Sequence, residues 1–294
     1  MVRPSPRDNV KRVFGLSLGG ARSDRTCLTV IDFYQRDEKS NEKAFVVDVF
    51  EGIGQSGELD GDEALLKIVN ESLMERPATL LAVDAPLTLP PCFVGCADTC
   101  EGYQKCKRPT VKWMRNQFLK ARQKNRGIKG FTPYLQRPVD IYFRYQFTDK
   151  ELFKDDTLGA NYAPQAARMQ YLKQRWLPGG SKKNNFELIE VWPKLVLFCL
   201  QKELKLTRKE ATGYRNVEQG AGIREKLLET LSDRYHIFVY ERDASKLLSS
   251  VPAFDSFICA FVALQYSLGR VVDFKHELNQ KEILKTGWIE LPNF

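Results

Sequence analysis

Three acids stand where a carboxylate is costly unless something uses it. Asp84 ends the apolar run Leu80-Leu81-Ala82-Val83, Glu190 lies near the end of FELIEV (186–191), and Asp255 enters the apolar stretch AFDSFICAFVALQYSL (253–268). Grouped carboxylates repel unless a divalent cation neutralises them, and Mg²⁺ or Mn²⁺ held by carboxylate oxygens is the usual solution. Such an ion activates a water and stabilises the departing oxygen in phosphodiester cleavage. Asp84, Glu190 and Asp255 are therefore the candidate catalytic acids, with Mg²⁺ or Mn²⁺ as cofactor. Taken singly, each is also an ordinary strand-end or capping residue, and Asp255 could cap the helix that starts near it.

Four of the seven cysteines follow Asp84 within fifteen residues: Cys92, Cys96, Cys100 and Cys106, spaced C-x3-C-x3-C-x5-C. Four thiolates around one ion make a closed tetrahedral zinc site, preferred here over an iron–sulfur cluster. Some cysteines are instead small buried apolar residues, which is how Cys27, Cys199 and Cys259 read. A basic run comes next. Lys112, Arg115, Lys120, Arg122, Lys124 and Arg126 interleave with Trp113, Met114, Phe118 and Leu119. That spacing predicts an amphipathic helix with an apolar stripe inward and a basic face outward, which suits a nucleic-acid backbone and also an ordinary solvated face.

Gly15-Leu16-Ser17-Leu18-Gly19 matches G-x-S-x-G, yet it sits on the first strand and leads into another strand rather than a helix. The only histidines are His236, read inside a strand, and His276, in a polar tail helix. A hydrolase triad is improbable; Gly19-Gly20 more simply permits a tight turn.

Positioning these residues requires a mixed sheet. Strands are predicted at 13–18, 26–33 and 44–50 with hairpin-length links, which suggests an antiparallel meander. A helix at 63–76 crosses over to the strand ending at Asp84, so parallel pairing is expected there. The strand–helix rhythm is lost from about 90 to 180, read as an insertion bearing the cysteines, the basic run and a helix at 163–176. It returns with a strand at 186–191, helices at 194–203 and 222–234, a short strand at 236–240 and the apolar helix at 253–268. The chain is read as one α/β domain over residues 1–294 with that insertion.

The 43% hydrophobic and 28% charged content is that of a globular protein, and no run approaches the roughly eighteen apolar residues of a membrane span. No membrane partner is expected. The N-terminal segment lacks the apolar core of a secretory signal, so a cytoplasmic protein with reduced thiols is expected. The net charge of +8 favours an anionic partner.

RVFGLSLGG, LLAVDAPLTLP, FELIEVWPK, AFDSFICAFVAL and TGWIELP together resemble a domain-of-unknown-function family (domain of unknown function 429) regarded as predicted nucleases of the ribonuclease H-like fold. The cysteine array ending in GYQKCKRPTVKWM resembles a subgroup with its own cysteines. The resemblance implies a ribonuclease H-like mixed sheet, a nucleic-acid substrate (DNA or RNA), and Asp84, Glu190 and Asp255 as metal ligands. It also exposes a departure. Such nucleases offer an aspartate on the first strand, where this chain has Ser17, a poor Mg²⁺ ligand; Asp24 in the following link is the nearest substitute. The expectation is a metal-dependent phosphodiesterase or, as the alternative, a catalytically inactive nucleic-acid-binding or scaffold protein of nuclease ancestry. A nucleotide-binding relative of the sugar-kinase type, using Gly19-Gly20, ranks last.

Overall fold

The computed structural model describes residues 10–20, 24–34, 43–55, 58–76, 78–94, 99–123, 130–146, 152, 156–160, 162–176, 187–216, 218–272 and 286–293. Cys96, Lys124, Arg126 and His276 lie outside the described residues. In chain order the elements are β1 (Val10–Ser17), β2 (Cys27–Tyr34), β3 (Lys43–Phe50), α1 (Gly61–Glu75), β4 (Ala78–Val83), α2 (Pro109–Gln123), α3 (Pro138–Gln146) and α4 (Ala163–Trp176). They continue with β5 (Glu187–Glu190), α5 (Pro193–Leu200), α6 (Arg208–Gly213), α7 (Gly220–Tyr235), β6 (Ile237–Phe238), α8 (Glu241–Ser249) and α9 (Val251–Ser267).

Contacts divide the chain into two compact units, one of residues 1–84, 174–272 and 290–294, the other of residues 85–173 and 273–289. The first unit holds one six-stranded sheet in the order β5-β4-β1-β2-β3-β6. β1, β2 and β3 form the expected antiparallel meander, while β4 runs parallel to β1 and β5 parallel to β4. This mixed α/β sheet flanked by helices is consistent with a ribonuclease H-like fold. β6 adds a two-residue parallel strand beside β3.

Its core is built around α9. That helix is apolar on every side, and a helix of that kind is stable only when enclosed; every residue from Ala253 to Gln265 is buried. Ser250 caps its start by accepting from the Ala253 N–H, so Asp255 is not the cap but lies inside the first turns. α9 crosses β1 at Gly15, where a Cβ would stand 2.1 Å from both the Ala260 nitrogen and the Ser256 oxygen. Thr29 and Ser256 add a 2.7 Å hydrogen bond between β2 and the helix. The face of the sheet carrying Gly15 is therefore the α9 face.

Arg12 belongs to the other face. Its guanidinium donates to both oxygens of Asp32 (2.7 and 3.1 Å) and to the Ser72 carbonyl of α1 (2.9 Å), with Arg76 3.0 Å from the same aspartate. Asp60 caps α1 by accepting from the Asp62 and Glu63 N–H groups. His236 is not in a strand: it ends α7 in the left-handed conformation (φ 52°), and only Ile237 and Phe238 pair with β3.

In the second unit, α2 and α3 pack around Val111, Met114, Phe131 and Ile141. Arg137, fully buried at the start of α3, donates to Thr157, Thr88 and Asp140 at 2.6–3.2 Å. A buried guanidinium needs such partners to offset its lost hydration.

Candidate functional site

Open parallel sheets gather ligand-binding residues at the carboxyl ends of their strands. In the first unit these ends present Ser17 from β1, Asp84 from β4 and Glu190 from β5. The Asp84 N–H donates to the Leu16 carbonyl at 2.9 Å, which prolongs the β1–β4 ladder by one residue. Side chains alternate between the faces of a strand, so register decides which of these residues meet. Gly15 is paired with Ala82, which puts Ser17 and Asp84, two residues further on, on the α9 face. Glu190 is paired with Val83, and parity puts it on the opposite face. The three expected acids are thus not one cluster. Asp84 and Asp255 share a face; Glu190, though buried, does not join them.

Asp255 is fully buried and already engaged. Tyr214 Oη donates to Oδ1 at 2.6 Å, and Arg215 Nη2 donates to Oδ2 at 2.6 Å. Burial raises its pKa above the ordinary carboxylate range, opposed by the Arg215 charge and the two donors. Tyr214 is pushed well above its usual pKa by burial and then by the Asp255 charge, so it stays a donor. Cys259 follows Asp255 one turn along α9, and burial, then the negative charges of Asp84 and Asp255, raise its pKa.

The turn that delivers Tyr214 and Arg215 is itself held. Arg224 of α7 donates to the Tyr214 carbonyl (2.6 Å) and twice to the Leu248 carbonyl (2.9 and 2.5 Å). Gly220 permits this approach, since a Cβ there would stand 2.5 Å from the Tyr214 oxygen. Tyr214, Arg215, Arg224 and Cys259 are site residues that the sequence reading does not reach. Their only advance signal is a Tyr-Arg pair in a turn between Gly213 and Gly220.

Asp24 is exposed in the link after β1, its Cα 3.5 Å from where a Cβ of Gly54 would be. Among the described residues, no three His, Cys, Asp or Glu side chains are gathered so as to hold a metal ion. The arrangement present does not fit the expected Mg²⁺ or Mn²⁺ centre. Ser17 replaces one carboxylate, Glu190 faces away, and the Arg215 guanidinium already neutralises Asp255.

The cysteines divide similarly. Cys92 and Cys106 are half-buried against the apolar cluster of the second unit, and Cys100 is exposed. Lys112, Lys120 and Arg122 are exposed on α2. Arg115 differs, because its guanidinium donates to the Tyr103 and Gln104 carbonyls and so fastens a loop to the helix.

Fold and site define a mixed α/β protein, consistent with a ribonuclease H-like fold, with a buried carboxylate held by an arginine beside the strand ends. The chain belongs to the family described as Protein of unknown function (DUF429), whose model matches residues 40–278 of the 294. That segment includes Asp84, Glu190 and Asp255 and begins after β1 and Ser17. No curated protein and no solved structure matches the chain. Among the described residues, no single helix is long and apolar enough to cross a membrane.

Proposed function

We propose that this chain binds nucleic acid on a scaffold of nuclease ancestry whose carboxylate site is closed by arginine. One observation supports the binding: Lys105, Lys107, Lys112, Lys120 and Arg122 are exposed around α2, and none of their side chains makes an ion pair or hydrogen bond among the described residues. Cations without anionic neighbours attract a phosphate backbone and release its counterions. Silence at the strand ends follows from charge. A divalent ion at Asp255 would have to displace a guanidinium at 2.6 Å, and Ser17 offers it no carboxylate in exchange.

A second reading keeps a metal-dependent phosphodiesterase that uses Asp84 and Asp255. The Arg215 side chain is 40% exposed and so has room to leave, which favours this alternative. Labelled single- and double-stranded DNA and RNA incubated with Mg²⁺ or Mn²⁺ separate the two. The arginine-closed reading expects binding without cleavage by the wild type, and metal-dependent cleavage only after Ser17→Asp combined with Arg215→Ala. Cleavage by the wild type that disappears in Asp84→Asn would overturn it in favour of the phosphodiesterase.

A further inference from the structure

α2 of the second unit carries two kinds of recognition chemistry on one surface. Residues of a helix advance about 100° each, so Lys112, Leu119, Lys120, Arg122 and Gln123 share an arc of about 160°, opposite buried Thr110, Met114 and Ala121. From Pro109 to Gln123 the helix has no acidic residue. Two arginines tie loops to this arc. Arg108 donates to the Pro91 and Val94 carbonyls (2.5 and 2.9 Å), and Arg115 to the Tyr103 carbonyl (2.9 Å) and that of Gln104. The loops so fixed present Phe93, 61% exposed, and Tyr103, 37% exposed. Tyr103 is braced edge-on against Phe131, ring centroids 5.2 Å apart. Lys105 and Lys107 follow it, both exposed.

An exposed phenylalanine costs solubility, and here it is held in place rather than tucked away. Anchored aromatic rings accompanied by exposed cations are the equipment for binding a single strand, whose unstacked bases lie on the rings while its phosphates meet the cations. A duplex offers phosphates but keeps its base faces to itself. We propose that this surface is a single-strand-selective nucleic-acid site, with Phe93 and Tyr103 as stacking platforms and Lys105, Lys107, Lys112, Lys120 and Arg122 as the backbone track. This deepens the nucleic-acid reading above and rests on it; it does not involve Asp84 or Asp255.

The test uses the full chain and fluorescence anisotropy. The probes are a labelled oligothymidylate, a blunt duplex of equal length, and phosphatidylserine vesicles, each measured between about 50 and 200 mM salt. Single strand is expected to bind at least about tenfold tighter than duplex. With five cations engaged, the slope of log affinity against log salt is on the order of −3.5, and each of Lys112→Gln and Lys120→Gln removes about 0.7 of it. Phe93→Ala and Tyr103→Ala each weaken single-strand binding by about fivefold or more with the slope unchanged. Phe93 is 61% exposed, so its variant leaves folding intact, and an unchanged salt slope shows the same for Tyr103→Ala, whose ring packs on Phe131. Equal affinity for duplex, or no effect of either aromatic variant, overturns single-strand selectivity and leaves nucleic-acid binding standing. Binding to vesicles but to neither nucleic acid overturns both.

Discussion

Arg215→Ala probes the closed site through stability, because it removes the charge partner of a fully buried carboxylate. Stripping one member from a buried ion pair costs about 3–5 kcal/mol. Arg215 is 40% exposed, so solvent already screens its half of the interaction, and about 2 kcal/mol near neutral pH is the expected loss. Its pH dependence is more diagnostic than its size. The folded-state pKa of Asp255 is raised by burial, against the pull of Arg215. Between the unfolded and folded pKa the native state holds a proton that the unfolded chain has released, so stability falls as pH rises through that window. Removing Arg215 raises the folded pKa further and carries the window upward. The variant should lie close to wild type at acid pH, where both hold the proton, and fall behind it as pH rises through the window, by at most about 1.4 kcal/mol per pH unit. Asp255→Asn should abolish this slope and cost no more than about 1 kcal/mol, since Arg215 can turn to water. Urea unfolding at several pH values measures all three proteins. A pH-independent difference for Arg215→Ala, or a gain in stability, would refute the buried-charge argument.

Other outcomes follow from the same geometry. Gly15→Ala drives a methyl group into the α9 backbone and should cost on the order of 3 kcal/mol or more, seen as loss of soluble protein or a sharply lower Tm. Arg12→Met leaves Asp32 with Arg76 alone and should destabilise by a few kcal/mol in urea unfolding, well beyond a typical surface substitution. Of the cysteines among the described residues, thiol titration of the native protein should label Cys100 first. Burial raises Cys27 to about 11 and Cys259 well above the usual thiol range, so these two should react only on unfolding, while half-buried Cys199, raised to about 12, should react slowly.

The sheet was legible because its strands are short apolar runs ended by Gly, Pro or Asp, and because a helix between the third and fourth strands demands a parallel crossover. α9 was legible from unbroken apolarity. His236 was misread because one left-handed residue before Ile237-Phe238 looks, in composition, like the start of a strand. α8 was missed: ERDASKLLS has too few apolar residues to betray a helix held through Lys246 and Arg242 against Asp48 of β3. The acids show a deeper limit. That Asp84 ends a strand can be read locally, but the face that Glu190 occupies depends on parity against a partner strand more than a hundred residues away. One residue of register reverses it. Arg215 lies in a polar turn 40 positions before Asp255, and no spacing rule joins them.

The most direct test of the closed site is a Mn²⁺ titration of wild type, Arg215→Ala and Asp255→Asn, followed by calorimetry and by the paramagnetic signal of the free ion. An arginine that supplies the charge at Asp255 predicts no stoichiometric Mn²⁺ site at the strand ends of the wild type, and new affinity in Arg215→Ala that Asp255→Asn lacks. A stoichiometric site in the wild type that disappears in Asp255→Asn would contradict the account and return the strand-end acids to metal chemistry.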